Sequence, residues 1–371
     1  MTYSARRLAL FGFVSFNIAL AAGVLVHAGG QDAAVANDGL NKPRFTFALW
    51  GDVMYTPADF DKLPALTADI NASKAAFSIY DGDIKSGSSV CSDDVFGRAI
   101  GYFNAFENPV IYVPGDNEWT DCHRINNGGY KNLDRLRVLR EQMFSSPNSF
   151  GQRTLPLEHQ GELGQKYSEN TRWTYGDVVF VTLNIPGSNN NKVNGADCTN
   201  KSARTAEDCA LDNAEYAERD GKNIEFLKSS FALAKMKGAL GLVVVMQADP
   251  SFDAAQTEDV NERTCIRPFN SQCLVDPFKD HPIDPTRAGY DGYTSFLDAL
   301  TAETKNFTGH VLLVHGDTHF FTIDQPLTDQ AHLIPNLTRV QTFGSPNVNW
   351  VEVTVDPKDR PLFTARPMIV P

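Results

Sequence analysis

The 371-residue sequence has no Gly-x-x-x-x-Gly-Lys-Ser/Thr phosphate loop and no Gly-x-Gly-x-x-Gly opening a helix. Nucleotide-dependent transfer and dinucleotide redox chemistry therefore lack their usual binding loops. No Gly-x-Ser-x-Gly elbow occurs, which removes serine catalysis of the α/β-hydrolase kind. None of the six cysteines forms a Cys-x-x-Cys zinc pair. Positive charge is also scarce: 33 Lys+Arg stand against 45 Asp+Glu, a net charge of −12. Such a surface repels phosphate backbones and anionic lipid. The longest basic cluster, from Lys131 to Arg140, is broken by Asp134 and by apolar residues at helical spacing, so it reads as a solvated helix face. Delocalised nucleic-acid binding is not expected. What remains, 42% hydrophobic and 21% charged residues with 27 Gly and 20 Pro, is the composition of a folded globular chain.

Residues 1 to 28 have the form of a secretory signal. Arg6 and Arg7 make a short positive start, Leu8 to Val26 are apolar but for Ser15 and Asn17, and small residues follow. Cleavage is expected after Ala28 or Ala36, leaving 29–43 as a linker and 44–371 as one domain. The apolar stretch is long enough to span a bilayer, so an uncleaved membrane anchor is the alternative; after cleavage no stable membrane span is expected. A secreted, periplasmic or extracellular location suits the six cysteines. Their spacing suggests the pairs Cys198–Cys209 and Cys265–Cys273, leaving Cys91 with Cys122. Sequons at Asn71, Asn200, Asn306 and Asn336 matter only in a glycosylating host.

Along the chain, short apolar runs alternate with helical patterns. Strands are expected at 44–52, 75–83 and 109–116, with helices near 60–72, 95–106 and 133–144. This is the βαβ signature of a parallel sheet with helices outside. A hairpin at Gly176-Asp177 follows, then a Cys- and Asn-rich loop, a helix over 223–237, strands at 241–247 and 310–317, and a helix over 293–304. Strands between 339 and 354 close the sheet. His315 falls inside a strand and is expected to have a core role.

Five of these strands end in polar residues of one kind: Gly51-Asp52, Gly82-Asp83, Gly115-Asp116-Asn117-Glu118, Gln247, and Gly316-Asp317-Thr318-His319. A single Gly-Asp after a strand is an ordinary turn. Five in succession point to one crevice, because ligands of open α/β sheets bind at the carboxyl ends of strands. Carboxylates a few ångströms apart raise each other's pKa, and a cation removes that conflict. With His319 and Gln247 beside four aspartates, the oxygen-rich set suits Mg, Mn or Ca better than Zn or Cu.

The order of these motifs resembles the calcineurin-like metallophosphoesterase superfamily, over about residues 44 to 354. The resemblance implies a four-layer α-β-β-α sandwich, one or two divalent metal ions and hydrolysis of phosphorylated substrates. Asp52, a bridging Asp83 and His319 match metal positions of that family. Met54 stands where its first His would be. Asp116, Gln247 and Asp317 replace an Asn and two His ligands, and Asn117 replaces the His that contacts phosphate. Asn117 can donate to a phosphoryl oxygen but cannot be a general acid. His123 is the nearest substitute for that role, and Arg124 is a candidate to pair with phosphate. Either ligands were exchanged for harder ones, giving a secreted metal-dependent phosphoric ester hydrolase, or the site decayed into a binding protein for an anionic ligand or protein. Carboxylates added to an empty site would only repel each other, which favours exchange.

Overall fold

The computed structural model describes residues 43–195, 198–250, 252, 291–327 and 334–371. The signal and linker assignments and the Cys265–Cys273 pair lie outside the described residues. Among the described residues, no helix is long and apolar enough to cross a membrane.

The first half of the chain runs β1 (Phe45–Trp50), α1 (Pro57–Ser73), β2 (Ser78–Tyr80), α2 (Asp94–Phe103), β3 (Val110–Tyr112) and α3 (Asn132–Met143). Strands β1, β2 and β3 pair in parallel, as their alternation with helices requires. The second half runs β4 (Glu158–His159), β5 (Thr171–Tyr175), β6 (Val178–Thr182), α4 (Ala206–Lys237), β7 (Gly241–Val245), α5 (Thr294–Lys305), β8 (His310–His315), β9 (Thr322–Asp324), β10 (Leu337–Gln341), β11 (Trp350–Val355) and β12 (Phe363–Met368). Two sheets result, ordered β12-β11-β1-β2-β3 and β4-β5-β6-β7-β8-β10-β9. The tail therefore does not close one sheet. β10 joins the second sheet beside β8, β11 extends the first antiparallel to β1, and β12 pairs antiparallel with β11 at its edge.

Period-2 alternation explains how the sheets stack. Phe47 and Leu49 of β1 point into a core shared with Phe180, Val243, Val245, Leu312 and Val314 of the second sheet. Ala48 and Trp50 point the other way, against Leu63 and Leu66 of α1 and Phe96 and Phe103 of α2. In β6, Val179 and Val181 turn outward to Phe226, Leu227 and Phe231 of α4. The layers are thus α-β-β-α, the fold class expected from the motif resemblance. His315 is fully buried, in keeping with a core role.

Helix α4 begins seventeen residues before the expected start at Asn223. Its first half is polar and carries no apolar stripe, so periodicity misses it. It is nucleated instead by a capping box in which Thr205 and Asp208 satisfy each other's backbone amides. The Cys198–Cys209 bridge pins the same end, and Cys91–Cys122 is also formed.

Phe180 is the centre of the inter-sheet layer, stacked on Trp173 at 5.0 Å and edge-on to Phe47 and Phe77 at 5.3 and 5.2 Å. Truncation there leaves a cavity that two rigid sheets cannot fill. Phe180→Ala is expected to lower unfolding free energy by about 3–5 kcal/mol in urea titration, with an unchanged m-value.

Candidate functional site

The six residues expected to hold metal all follow the carboxyl ends of strands. Asp52 follows β1, Asp83 follows β2, Asp116 follows β3, Gln247 follows β7, and Asp317 and His319 follow β8. The two sheets meet here: the Asp52 carbonyl accepts from Ser345 N at 2.8 Å, and its carboxylate accepts from Asp317 N at 3.2 and 3.3 Å. The chain has to bend sharply at each strand end. Asp52, Met54, Asp83, Asp317 and His319 all have positive φ, between 51° and 74°, a region costly for non-glycine residues. Gly316 is required for a different reason, since a β-carbon there would lie 1.9 Å from Asp52 Oδ2.

One atom lies among most of these groups. The Tyr55 hydroxyl is 3.0 Å from Asp83 Oδ2, 3.4 Å from Asp52 Oδ1, 3.4 Å from His319 Nε2 and 3.2 Å from Asn117 Nδ2. With a single proton it can serve one carboxylate at a time, and Asp83 is the shortest contact. Asp83 also accepts from Asn117 N at 3.0 Å, Asn117 Nδ2 at 2.6 Å and Gln247 Nε2 at 3.3 Å. His319 Nδ1 faces the Ser345 carbonyl at 2.8 Å, which assigns the proton to Nδ1 and turns Nε2 toward Asp52 at 3.5 Å.

Asp116 and Asp317 form a second pair. A β-carbon placed on Gly187 would lie 2.6 Å from Asp116 Oδ2 and 3.0 Å from Asp317 Oδ1, so both carboxylates front the same point. Gly187 opens an unusual turn in which Ser188, Asn189, Asn190 and Asn191 all have positive φ, from 50° to 63°. Asn tolerates this better than most residues. The buried Arg219 of α4 braces it, donating to Asn190 Oδ1 at 2.6 Å and to the Asn190 carbonyl at 2.8 Å. The turn presents Ser188 Oγ to Asp116 at 2.9 Å and to Asp121 at 2.7 Å.

Burial raises the pKa of five aspartates or glutamates at the strand ends and of Asp121 beside them. Asp81, Asp83 and Asp317 are pushed well up, first by desolvation and then by Asp52 for Asp81 and by Asp116 for the other two. Asp52 and Glu118 are raised by burial as well. Burial and Asp116 push Asp121 up to about 8 despite Arg124 Nη1 at 2.6 Å. Lys85, itself buried, spends its ammonium on the carbonyls of Asn117 and Ser86, at 2.7 and 2.8 Å. Burial opposes the charge on His319, but the Asp52 carboxylate wins and raises its pKa.

Sequence reasoning missed Tyr55, Asp81, Asp121 and Ser188. Tyr55 stands three residues after Asp52, and Asp81 opens the Asp-Gly-Asp triplet, so both carried a readable signal. Ser188 carried none, because only the left-handed turn brings it to Asp116. His123 and Arg124 lie to one side, on the wall of a neighbouring cavity. His123 Nδ1 pairs with Ser202 Oγ at 2.8 Å, and burial with Arg204 and Arg124 lowers its pKa to about 3. With its imidazole held neutral, His123 has only the N–H of an uncharged ring to offer in the general-acid role expected of it.

The donor chemistry fits a hard cation: the acids are buried, oxygen-rich and short of positive charge, and Asp81 Oδ1 and Glu118 Oε2 are buried without any hydrogen-bond donor. The spacing, however, is that of hydrogen bonds. Among the described residues no three His, Cys, Asp or Glu side chains stand in a metal-holding arrangement. Tyr55, Asn117 and Gln247 fill the space between the acids.

No protein-family model matches the chain, and no curated protein matches its sequence. Among solved structures it is similar to a dimetal phosphatase from Danio rerio, at 11% identity over 88% of this chain and 99% of that one, with a TM-score of 0.44. It is similar to GAP50, the anchor in the inner membrane complex of Plasmodium, at 13% identity over 89% and 90%, with a TM-score of 0.42. A third is the purple acid phosphatase PPD1 from yellow lupin seeds, at 11% identity over 84% and 49%, with a TM-score of 0.43. Likeness at this level carries nothing about what the chain binds or does.

A carboxyl whose pKa rises on folding stabilises the fold below its unfolded pKa and loses that contribution as pH climbs through the folded value. For Asp121 the window runs from about pH 4 to about 8. Asp121→Asn is therefore expected to gain on the parent protein across that window, by roughly 3 °C or more in Tm. Thermal unfolding of both proteins in chelator checks this, and a constant difference contradicts the assignment.

Proposed function

We propose that the chain is a secreted hydrolase of phosphoric esters of the calcineurin-like type, dependent on one or two oxygen-preferring divalent ions such as Mg, Mn or Ca. One observation carries the reading: acids from the ends of β1 and β2 and the imidazole after β8 converge on a single hydroxyl, with two further carboxylates fronting Gly187. Four ionised acids in such a space need positive charge.

Asp52, Asp83, Asp116, Gln247, Asp317 and His319 would hold the metal. When bound, it would supply charge neutralisation and Lewis-acid activation of the phosphoryl group and of water. Asn117 Nδ2 now donates to Asp83 Oδ2 and to the Tyr55 hydroxyl, so it would have to release one of them to donate to a phosphoryl oxygen. Arg124, with one side-chain edge on Ser188 and the other on Asp121, would pair with the substrate's charge. Gln247 Oε1 accepts from Gly187 N at 2.6 Å, so it would have to release that amide to become a ligand. The N-terminal apolar segment and the two disulfides support export.

A second reading has a specific observation in its favour. Tyr55 and two carboxamides already satisfy Asp83 by hydrogen bonds, as a binding protein of the same fold without catalysis would require.

Metal content separates the two. Protein exchanged into Mn or Mg is expected to retain about one to two equivalents by elemental mass spectrometry, and Asp83→Asn to lose most of them. Turnover of an aryl phosphate or phosphodiester, absent in Asp83→Asn, supports the hydrolase. Retained metal without turnover on a broad ester panel selects the binding protein, and no retained metal overturns the hydrolase.

A further inference from the structure

Beside the carboxylates lies a cavity of about 450 Å³, within the roughly 300–1,000 Å³ of small-molecule sites. Its wall inverts the charge of the rest of the chain. Arg124, Lys192, Lys201 and Arg204 line it, and among the described residues Asp121 is the one acid of its lining. The acids that pair with Lys192 and Arg204, Asp291 at 2.6 Å and Asp212 at 3.2 Å, are not part of the wall. Lys201 has no acid partner among the described residues. In a protein of net charge −12, such a concave basic patch concentrates field lines and attracts anions. Among the described residues Val193 is its single aliphatic lining residue, so an apolar occupant finds little there to pack against.

The cavity opens onto the candidate site. A β-carbon on Gly87 would lie 2.7 Å from Asn117 Oδ1 and 3.5 Å from Arg124 Nη1, so the residue expected at the phosphoryl group and the nearest guanidinium border the same point. Ser188 lines the cavity with its hydroxyl already on Asp116. Both described disulfides hold the walls: Cys122 precedes His123, and Cys198 precedes Asn200 and Lys201. Ala203 N donates to the His123 carbonyl at 2.8 Å and Ile125 N to the Lys201 carbonyl at 3.1 Å, which joins the two loops. Pre-formed walls spare a ligand the entropy of ordering them.

We infer that this cavity is a subsite for a second phosphate group on the leaving portion of the substrate, so that the preferred esters carry two phosphates. The inference rests on the hydrolase reading for its place in catalysis, and its test has one arm that does not. In the first arm, phosphate release from fructose 1,6-bisphosphate and from fructose 6-phosphate is compared with divalent ion present. The parent protein is expected to favour the bisphosphate in kcat/KM by roughly tenfold, and Lys201→Gln with Lys192→Gln to remove most of that ratio. Equal ratios in parent and variant overturn the inference. In the second arm, chelator-treated and dialysed protein is titrated with inorganic phosphate by calorimetry. Binding weakened roughly tenfold or more in the double variant supports the subsite even if no ester is ever turned over. Phosphate binding that is absent, or unchanged by the substitutions, overturns it. Circular dichroism melting of the variant verifies that it is folded.

Discussion

Like charges brought together out of water are the constraint on which the rest of the structure depends. Asp52, Asp81, Asp83, Asp116, Glu118 and Asp121 are all buried at one end of two facing sheets. Each loses hydration, and most gain a repulsive neighbour. The surrounding chain is arranged to bear that cost. Backbone amides, carboxamides and one tyrosine hydroxyl are aimed inward, and five non-glycine residues hold left-handed backbone conformations to aim them. The sandwich supplies the rigidity, since its three apolar layers fix where every strand ends.

Much of this was legible because it follows short-range rules. Gly-Asp after an apolar run marks both the end of a strand and the direction of a carboxylate, so Asp52, Asp83, Asp116 and Asp317 could be read as one set. Alternation of strands with helices gave the parallel arrangement, and cysteine spacing gave the Cys198–Cys209 pair, with Cys91–Cys122 left by elimination. What escaped depends on pairing between distant segments. Which sheet β10, β11 and β12 would join has no local signature, because each is a short strand with one suitable face. The polar first half of α4 has no hydrophobic stripe, and its helicity comes from a cap and a disulfide. Tyr55 has an ordinary place after a turn in sequence and becomes central only when β8 returns beside β1 in space.

The left-handed turn at Gly187 links the two halves of the functional end. It carries Ser188 to the acids on one side and forms part of the basic cavity on the other, while Arg219 anchors it to α4. A helix that packs against the second sheet thereby sets the boundary between an acidic pocket and a basic one. Separation of opposite charges across a few residues suits the proposed hydrolase: the acids would hold cations, and the neighbouring wall would hold the remainder of an anionic ligand.

Asn200, the acceptor of an Asn-Lys-Ser sequon, lies on the wall of the basic cavity. A sugar tree attached there would crowd that cavity. Material produced in bacterial and in eukaryotic secretory systems would then differ at the cavity wall, so the choice of production host is itself a structural variable.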